Sequence, residues 1–296
     1  MEKNNGVVRG ESRSGQKLFQ STFIIHSLII ILAIAIVPGC GPRSLRDKGL
    51  GDPYFINSQG ERIYVGWEYI GPFNEGDDFV KTGQYDLAIA EYTKAIQVGP
   101  KYPFAYVSRG SAYNQKGQND LAITDYTKAI ELDPQYAKAY FNRGNSYAWK
   151  GQDDHAIADF TKAIGINFQY AKAYGNRGIS YHKKGQNDLA MADYTKAIEL
   201  DPQDARSYFN RGYSYFLKGQ DDHAIADFTK AIKIEPKYAN AYLWRGAAYC
   251  IKGQSDLGIS DLNNAKKIDP NLKGVDGAIA ECTGKQKKVG PRLPPR

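Results

Sequence analysis

Chemistry in this chain would have to come from four histidines, three cysteines and a large set of aspartates. His26 sits inside an apolar run and is read as an incidental polar residue. His155 and His223 occupy the same place in two copies of a recurring segment, two copies apart. At roughly 10 Å per helix layer they would lie about 20 Å from each other, too far to share a metal ion. No His-Glu-x-x-His pair, glycine-rich phosphate loop or nucleophile motif is present. The aspartates recur at fixed positions instead of forming an isolated carboxylate pair. No catalytic residue, metal, cofactor or small-molecule substrate is therefore assigned, and the chain is read as a non-enzymatic scaffold.

The elements that hold these residues repeat every 34 residues. Segment 137–170, AKAYFNRGNSYAWKGQDDHAIADFTKAIGINFQY, recurs as 171–204, 205–238 and 239–272, and upstream as 103–136, without insertion. A fixed period in this range marks a stacked array. Counting residue 137 as position 1, Tyr140, Arg143 and Tyr147 fall three or four apart, a helical spacing. Gly151 ends that helix, because glycine takes a left-handed cap without steric cost. Asp153 and Asp154 are N-cap candidates for a second helix, with Ile157, Phe160, Ala163 and Ile164 on one face. One such pair cannot bury its apolar face alone, so neighbours must stack. GQNDLA at Gly117 and Gly185, and GQDDHAIADFTKAI at Gly151 and Gly219, make 103–170 and 171–238 read as a duplicated block.

Tyr140, Gly144, Tyr147, Ala156, Phe160 and Ala163, with prolines at Pro134, Pro202, Pro236 and Pro270, resemble the tetratricopeptide repeat (TPR) family. The resemblance implies an all-α, right-handed superhelical solenoid of helix-turn-helix repeats with a concave side. Six repeats are expected over 72–272. The first is degenerate in its leading helix, where Pro72 replaces a bulky aromatic. Upstream, 54–70 holds two β-prone runs around Ser58-Gln59-Gly60-Glu61, a small N-terminal hairpin. Residues 54–76 also resemble a fragment of a WG β-repeat, which competes for 71–79.

Residues 1–39 read as an export signal. A charged start precedes the apolar run 22–37, whose sixteen residues span about 24 Å as a helix, short of a roughly 30 Å hydrocarbon core. Val37-Pro38-Gly39-Cys40 resembles the lipobox of bacterial lipoproteins, in which Cys40 would be acylated; Pro38 is an unusual occupant of its slot. Gly41 in place of aspartate resembles outer-membrane sorting. The expected location is the cell envelope, lipid-anchored and facing the periplasm, with an uncleaved inner-membrane anchor as the alternative; a self-assembling structural element is the alternative to a binding scaffold. Residues 40–71 form a linker with the possible hairpin. Residues 273–296 hold a possible capping helix over 277–282 and a basic, solvated tail.

Charge narrows the partners. Residues 1–50 carry seven Lys/Arg against three Asp/Glu, residues 271–296 carry six against two, and 51–270 carry 26 against 27. A near-neutral array lacks the clustered cations of a nucleic-acid groove, so no nucleic acid is expected. The family holds protein or peptide ligands on the concave face through positions 2, 5, 9, 12 and 13 of the first helix. Here the resemblance points to Phe141, Asn145, Trp149, His182, Lys183, Arg206, Phe209, Tyr213, Phe216 and Leu217. Aromatics there would supply apolar contact area while few polar groups set register. Trp149 and Phe216 are expected to be exposed in the groove; Phe141 and Phe209 either line it or pack against the next repeat. One subtype clamps a partner's C-terminal carboxylates; Asn145, Asn176 and Arg206 match it, but Phe141 and Asn210 replace two of its cations. A full clamp is not expected.

Two further patterns concern the interior. Position 7, usually leucine in the family, is Arg109, Arg143, Arg177, Arg211 and Arg245. Position 23 is Asp125, Asp159, Asp193, Asp227 and Asp261. An unpaired guanidinium facing a helix is costly, so each arginine is expected to meet the aspartate of its own repeat or of the one before. Cys250 and Cys282 could be joined in an exported chain if the end helix forms; free thiols are the simpler expectation, since sequence does not supply the geometry of a bridge.

Overall fold

The computed structural model describes residues 54–56, 60 and 62–284. The apolar run 22–37, Cys40, the linker 41–53 and the basic end 285–296 lie outside them. Among the described residues two short strands precede thirteen helices. Strands β1 (Tyr54–Ile56) and β2 (Arg62–Tyr64) pair antiparallel, with Tyr54 opposite Tyr64 and Ile56 opposite Arg62. The guanidinium of Arg62 lies 4.8 Å from the centre of the Tyr54 ring.

The helices come as pairs: α1 (Trp67–Lys81) with α2 (Tyr85–Val98), α3 (Pro103–Gln115) with α4 (Asn119–Leu132), and α5 (Ala137–Trp149) with α6 (Asp153–Ile166). They continue with α7 (Ala171–Lys183) and α8 (Asn187–Leu200), α9 (Ala205–Leu217) and α10 (Asp221–Ile234), and α11 (Ala239–Ile251) and α12 (Ser255–Ile268). Helix α13 (Val275–Cys282) follows. Each first helix ends at a glycine of positive φ, as at Gly151 (φ 72°). There the N–H groups of Gly151 and Gln152 return to the carbonyls of Ala148 and Tyr147, closing orphan acceptors of the helix end. Asp153 and Asp154 are not caps. The N-cap is Gln152, without a side-chain bond, and the two aspartates occupy the first turn, where the helix dipole favours a carboxylate.

Close approach within a pair depends on small residues. A Cβ added to Gly144 would stand 2.8 Å from the Phe160 ring, so only glycine lets α6 seat that ring. Ala156 and Ala163 are fully buried beside it. The first pair solves the same problem with different residues. Residues 72–76, which the WG resemblance would place in β structure, lie inside α1, with Pro72 in its interior. Tyr69, one turn earlier, supplies the missing bulk: it is 1% exposed and its hydroxyl accepts from the N–H of Ala105 at 3.2 Å.

The five arginines form a regular ladder, and each meets the aspartate of its own repeat. Arg177 donates from Nε to Asp193 Oδ2 and from one terminal nitrogen to Asp193 Oδ1, both at 2.8 Å. Its other terminal nitrogen donates to Thr161 Oγ1 of the preceding repeat at 3.0 Å. Arg109, Arg143, Arg211 and Arg245 repeat this with Asp125, Asp159, Asp227 and Asp261, and with Thr93, Thr127, Thr195 and Thr229. The guanidinium therefore joins the two helices of one repeat and ties that repeat to the one before. Tyr174 and Tyr181 lie on either side of it, with ring centres 5.5 and 5.7 Å away, which gives positions 4 and 11 a cation–π role as well as a packing one. A second, exposed row joins Lys116, Lys150, Lys184, Lys218 and Lys252 to Asp86, Asp120, Asp154, Asp188 and Asp222 of the preceding repeats.

At the C-terminal end α13 packs on α11 and α12. Val275 is 2% exposed there, against Leu243, Leu262 and Ala265. The cysteines are not free thiols: a disulfide joins Cys250 of α11 to Cys282 of α13. The packing that seats α13 supplies the geometry that the sequence could not.

Candidate functional site

Successive first helices approach one another, α1 to α3, α3 to α5, α5 to α7 and α9 to α11, whereas second helices pack chiefly on the first helices beside them. A stack closed on one side and splayed on the other curves with its first helices inside. The inner face is therefore built from α1, α3, α5, α7, α9 and α11, and the ten groove residues expected from the sequence lie on three of them, α5, α7 and α9.

Their surroundings differ along the array. On α5, Trp149 is 62% exposed. Phe141 is half-buried, its ring 4.8 Å from that of Tyr170 and 5.8 Å from that of Phe160, so it packs within its own repeat and presents one side outward. Asn145 accepts from Asn176 of the next repeat at 2.7 Å. On α7, His182 Nδ1 lies 3.0 Å from Asn187 Oδ1, while Lys183 is exposed and 3.9 Å from Asp153. On α9, Arg206 is exposed and Leu217 half-buried.

Phe216 departs from expectation. It is 4% exposed, and its ring meets that of Trp244 edge-on at 5.3 Å. Its position in the unit faces the groove, but the next first helix covers it. Trp244 does the covering, and the sequence reading missed it. The signal was present: position 6 is Asn142, Asn176 and Asn210 in three consecutive units and tryptophan only in the last.

These residues form one aromatic cluster across α7, α9 and α11. Tyr213 lies at its centre, 4.8 Å from Trp244, 5.9 Å from His182 and 6.4 Å from Phe209. Phe209 also meets Tyr238 at 5.0 Å and Phe228 at 5.7 Å. The Tyr213 hydroxyl is enclosed without a hydrogen-bond partner among the described residues, and burial raises its pKa. Phe141, Asn145 and Trp149 belong to a separate group on α5. The remaining histidines stack on tyrosines of their own repeats, His155 on Tyr147 and His223 on Tyr215, at 5.0 and 5.1 Å. An apolar aromatic floor with few, spaced polar groups suits a peptide side chain better than it suits a reaction.

Comparison with known proteins agrees with this architecture. A family model described as a TPR repeat matches residues 76–116, 110–151, 180–219 and 212–253, and a tetratricopeptide repeat model matches 137–170. The chain belongs to the tetratricopeptide repeat family. Among solved structures it resembles MamA, with 32% identity over 55% of this chain and 96% of that one and a TM-score of 0.51. It also resembles YrrB, described as a TPR protein with an unusual peptide-binding site, with 26% identity over 63% and 96% of the two chains and a TM-score of 0.53. PilF of Pseudomonas aeruginosa shares the fold, at 14% identity, with a TM-score of 0.66 over 74% of this chain and 98% of that one. No curated protein matches the chain.

Proposed function

We propose that the chain is a non-catalytic scaffold of the bacterial cell envelope that binds a protein or peptide along the inner face of its first helices. The aromatic cluster of Phe209, Tyr213 and Trp244 beside His182 carries this reading, and the peptide-binding site named for YrrB supports it. Phe141, Asn145, Trp149, Lys183, Arg206 and Leu217 extend the surface, and Phe216 backs it from below. Panning a random peptide display library on the full chain tests the reading. Enriched peptides should lose binding to Tyr213→Ala and to Trp149→Ala while both variants keep wild-type helical content. Peptides that bind both variants as well as wild type would remove the groove.

The envelope location rests on residues 1–40. No helix among the described residues is long and apolar enough to cross a membrane, so attachment is assigned to that segment. One acyl chain holds a protein only marginally, and stable attachment takes several hydrophobic signals, as a lipoprotein N-terminus provides. Cys40→Ser should abolish incorporation of labelled fatty acid and leave an unprocessed precursor. A wild-type chain that remains full length and unlabelled in a lipoprotein-competent bacterium would instead favour the uncleaved anchor.

A further inference from the structure

From the second repeat on, acidic side chains are sorted between the two helices of each pair, whereas α1 of the first pair carries Glu68, Glu75, Asp77 and Asp78. Every second helix from α2 to α12 has an acidic residue in its first turn, where the helix dipole favours it. Helices α3, α5, α7, α9 and α11 contain no Asp or Glu at any position. Three of them carry a cation at their second residue instead: Lys138 on α5, Lys172 on α7 and Arg206 on α9. A cation there opposes the dipole, so the arrangement does not serve helix stability. All three side chains are exposed, and none is among the ion pairs of the described residues, in which Lys183 makes only a long contact with Asp153. The ladder arginines add no net charge to this face, because each is matched by its own aspartate.

The cations stand one per repeat along three consecutive repeats, and Lys138 and Arg206 lie three residues before Phe141 and Phe209 on the same helices, a spacing that makes them neighbours. Two acidic groups near the row, one on α1 and one just before α9, are already engaged. Asp77 of α1 accepts from the Tyr92 hydroxyl, and Asp204, just before α9, accepts from Arg206 N–H and from Ser207 Oγ. The chain's own ends have the wrong sign to occupy this face, since 285–296 holds five Lys/Arg and no acid.

We infer that the groove takes an internal, acidic segment of a partner protein, whose carboxylates meet Lys138, Lys172 and Arg206 while a large apolar side chain of the segment seats on Phe209, Tyr213 and Trp244. This rests on the groove reading above and adds the class of ligand. A row of cations spread over three repeats fits carboxylates spaced along an extended chain. A terminal carboxylate would need cations converging on one point, and Phe141 and Asn210 occupy two positions where the family's clamp places them.

Fluorescence anisotropy on the full chain tests the inference with four labelled synthetic peptides. One alternates Glu and Phe and is C-terminally amidated, the second has the same sequence with a free carboxylate, and the third and fourth have Gln or Lys in place of Glu. Both Glu peptides should bind equally, the Gln peptide more weakly and the Lys peptide not at all. Binding of the Glu peptides should fall as salt rises beyond physiological strength, where the screening length is about 8 Å. Lys138→Glu with Lys172→Glu should weaken the Glu peptides at least on the order of tenfold. That variant keeps its fold, since a glutamate in the first helical turn complements the dipole. Equal binding of Glu and Gln peptides would overturn the acidic class and leave the groove intact. Binding that requires the free carboxylate would overturn the internal segment. If none of the four binds, this inference falls, and the display panning alone decides whether the groove reading falls with it.

Discussion

A guanidinium inside a helical stack is tolerated only when its nitrogens find acceptors, and here each of the three does. The arginine side chains of the ladder are 15–18% exposed and their aspartates 5–10%. Removing the arginine leaves a carboxylate in a mostly dry position, so Arg177→Ala should cost roughly 3–5 kcal/mol, read by urea unfolding. Asp193→Asn keeps one acceptor for the fork and should cost less. A loss below about 1 kcal/mol for Arg177→Ala is what a surface pair would give, and it would contradict the ladder. Phe216 and Trp149 make a second contrast at this scale. Phe216→Ala should destabilise by roughly 3–5 kcal/mol as a buried aromatic truncation, while Trp149→Ala, an exposed site, should stay within about 0.5 kcal/mol. Equal effects in thermal melts would show that the two side chains share one environment. The arginine–aspartate pairing was legible because the same two departures from the family pattern recur five times. Which aspartate each arginine would choose was not legible, since the long side chain reaches either. The threonine acceptors stand at one position of the first five units but carried no signal of their own. Phe216 was misplaced because periodicity gives a direction from one helix axis and says nothing about what the next helix lays over it.

At the scale of the element, turns and ends decide more than propensity does. The glycine stops and the six-fold run of second helices could be read directly, because each depends on residues adjacent in sequence. Helix α1 could not, since Pro72 argues against a helix locally, and only the burial of Tyr69 and Phe73 against Tyr92 overrides it. Buried tyrosines tie the elements to pH. Burial pushes Tyr126, Tyr136, Tyr170 and Tyr238 each up to about 12, against an ordinary value of about 10. An unfolded chain loses these protons near 10 and the folded chain does not, so their contribution to stability is complete below about pH 10 and disappears as pH rises through about 12. Alkaline unfolding followed by circular dichroism, with tyrosinate absorbance in parallel, should show both changes together in that window. Tyrosinate forming near pH 10 with the helices intact would contradict it. The end helix α13 gives a further test. Its disulfide to α11 closes 32 residues of chain, so Cys282→Ser should lower stability by roughly 2–4 kcal/mol. Thiol labelling of unfolded, unreduced protein should leave Cys250 and Cys282 unmodified; labelling of both would contradict the bridge.

For the whole molecule, the near-zero charge of the array conceals its most informative feature. Beyond α1, which carries Glu68, Glu75, Asp77 and Asp78, acidic residues lie on the second helices and in the turns, and unpaired cations lie on the first helices of three central repeats, so the two faces differ although their sum is close to nothing. Total charge argued against a nucleic-acid groove but could not show this sorting, which needs the curvature that puts first helices inside. The repeat period announced a solenoid, whereas the aromatic floor depended on Trp244, a single exception to the repeat. The central claim is that the first-helix face is the binding surface. Hydrogen exchange of the full chain, with and without a peptide isolated by display, tests it most directly. Added protection should concentrate on α5, α7, α9 and α11. Protection confined to the second helices, or to the turns that join the pairs, would contradict it.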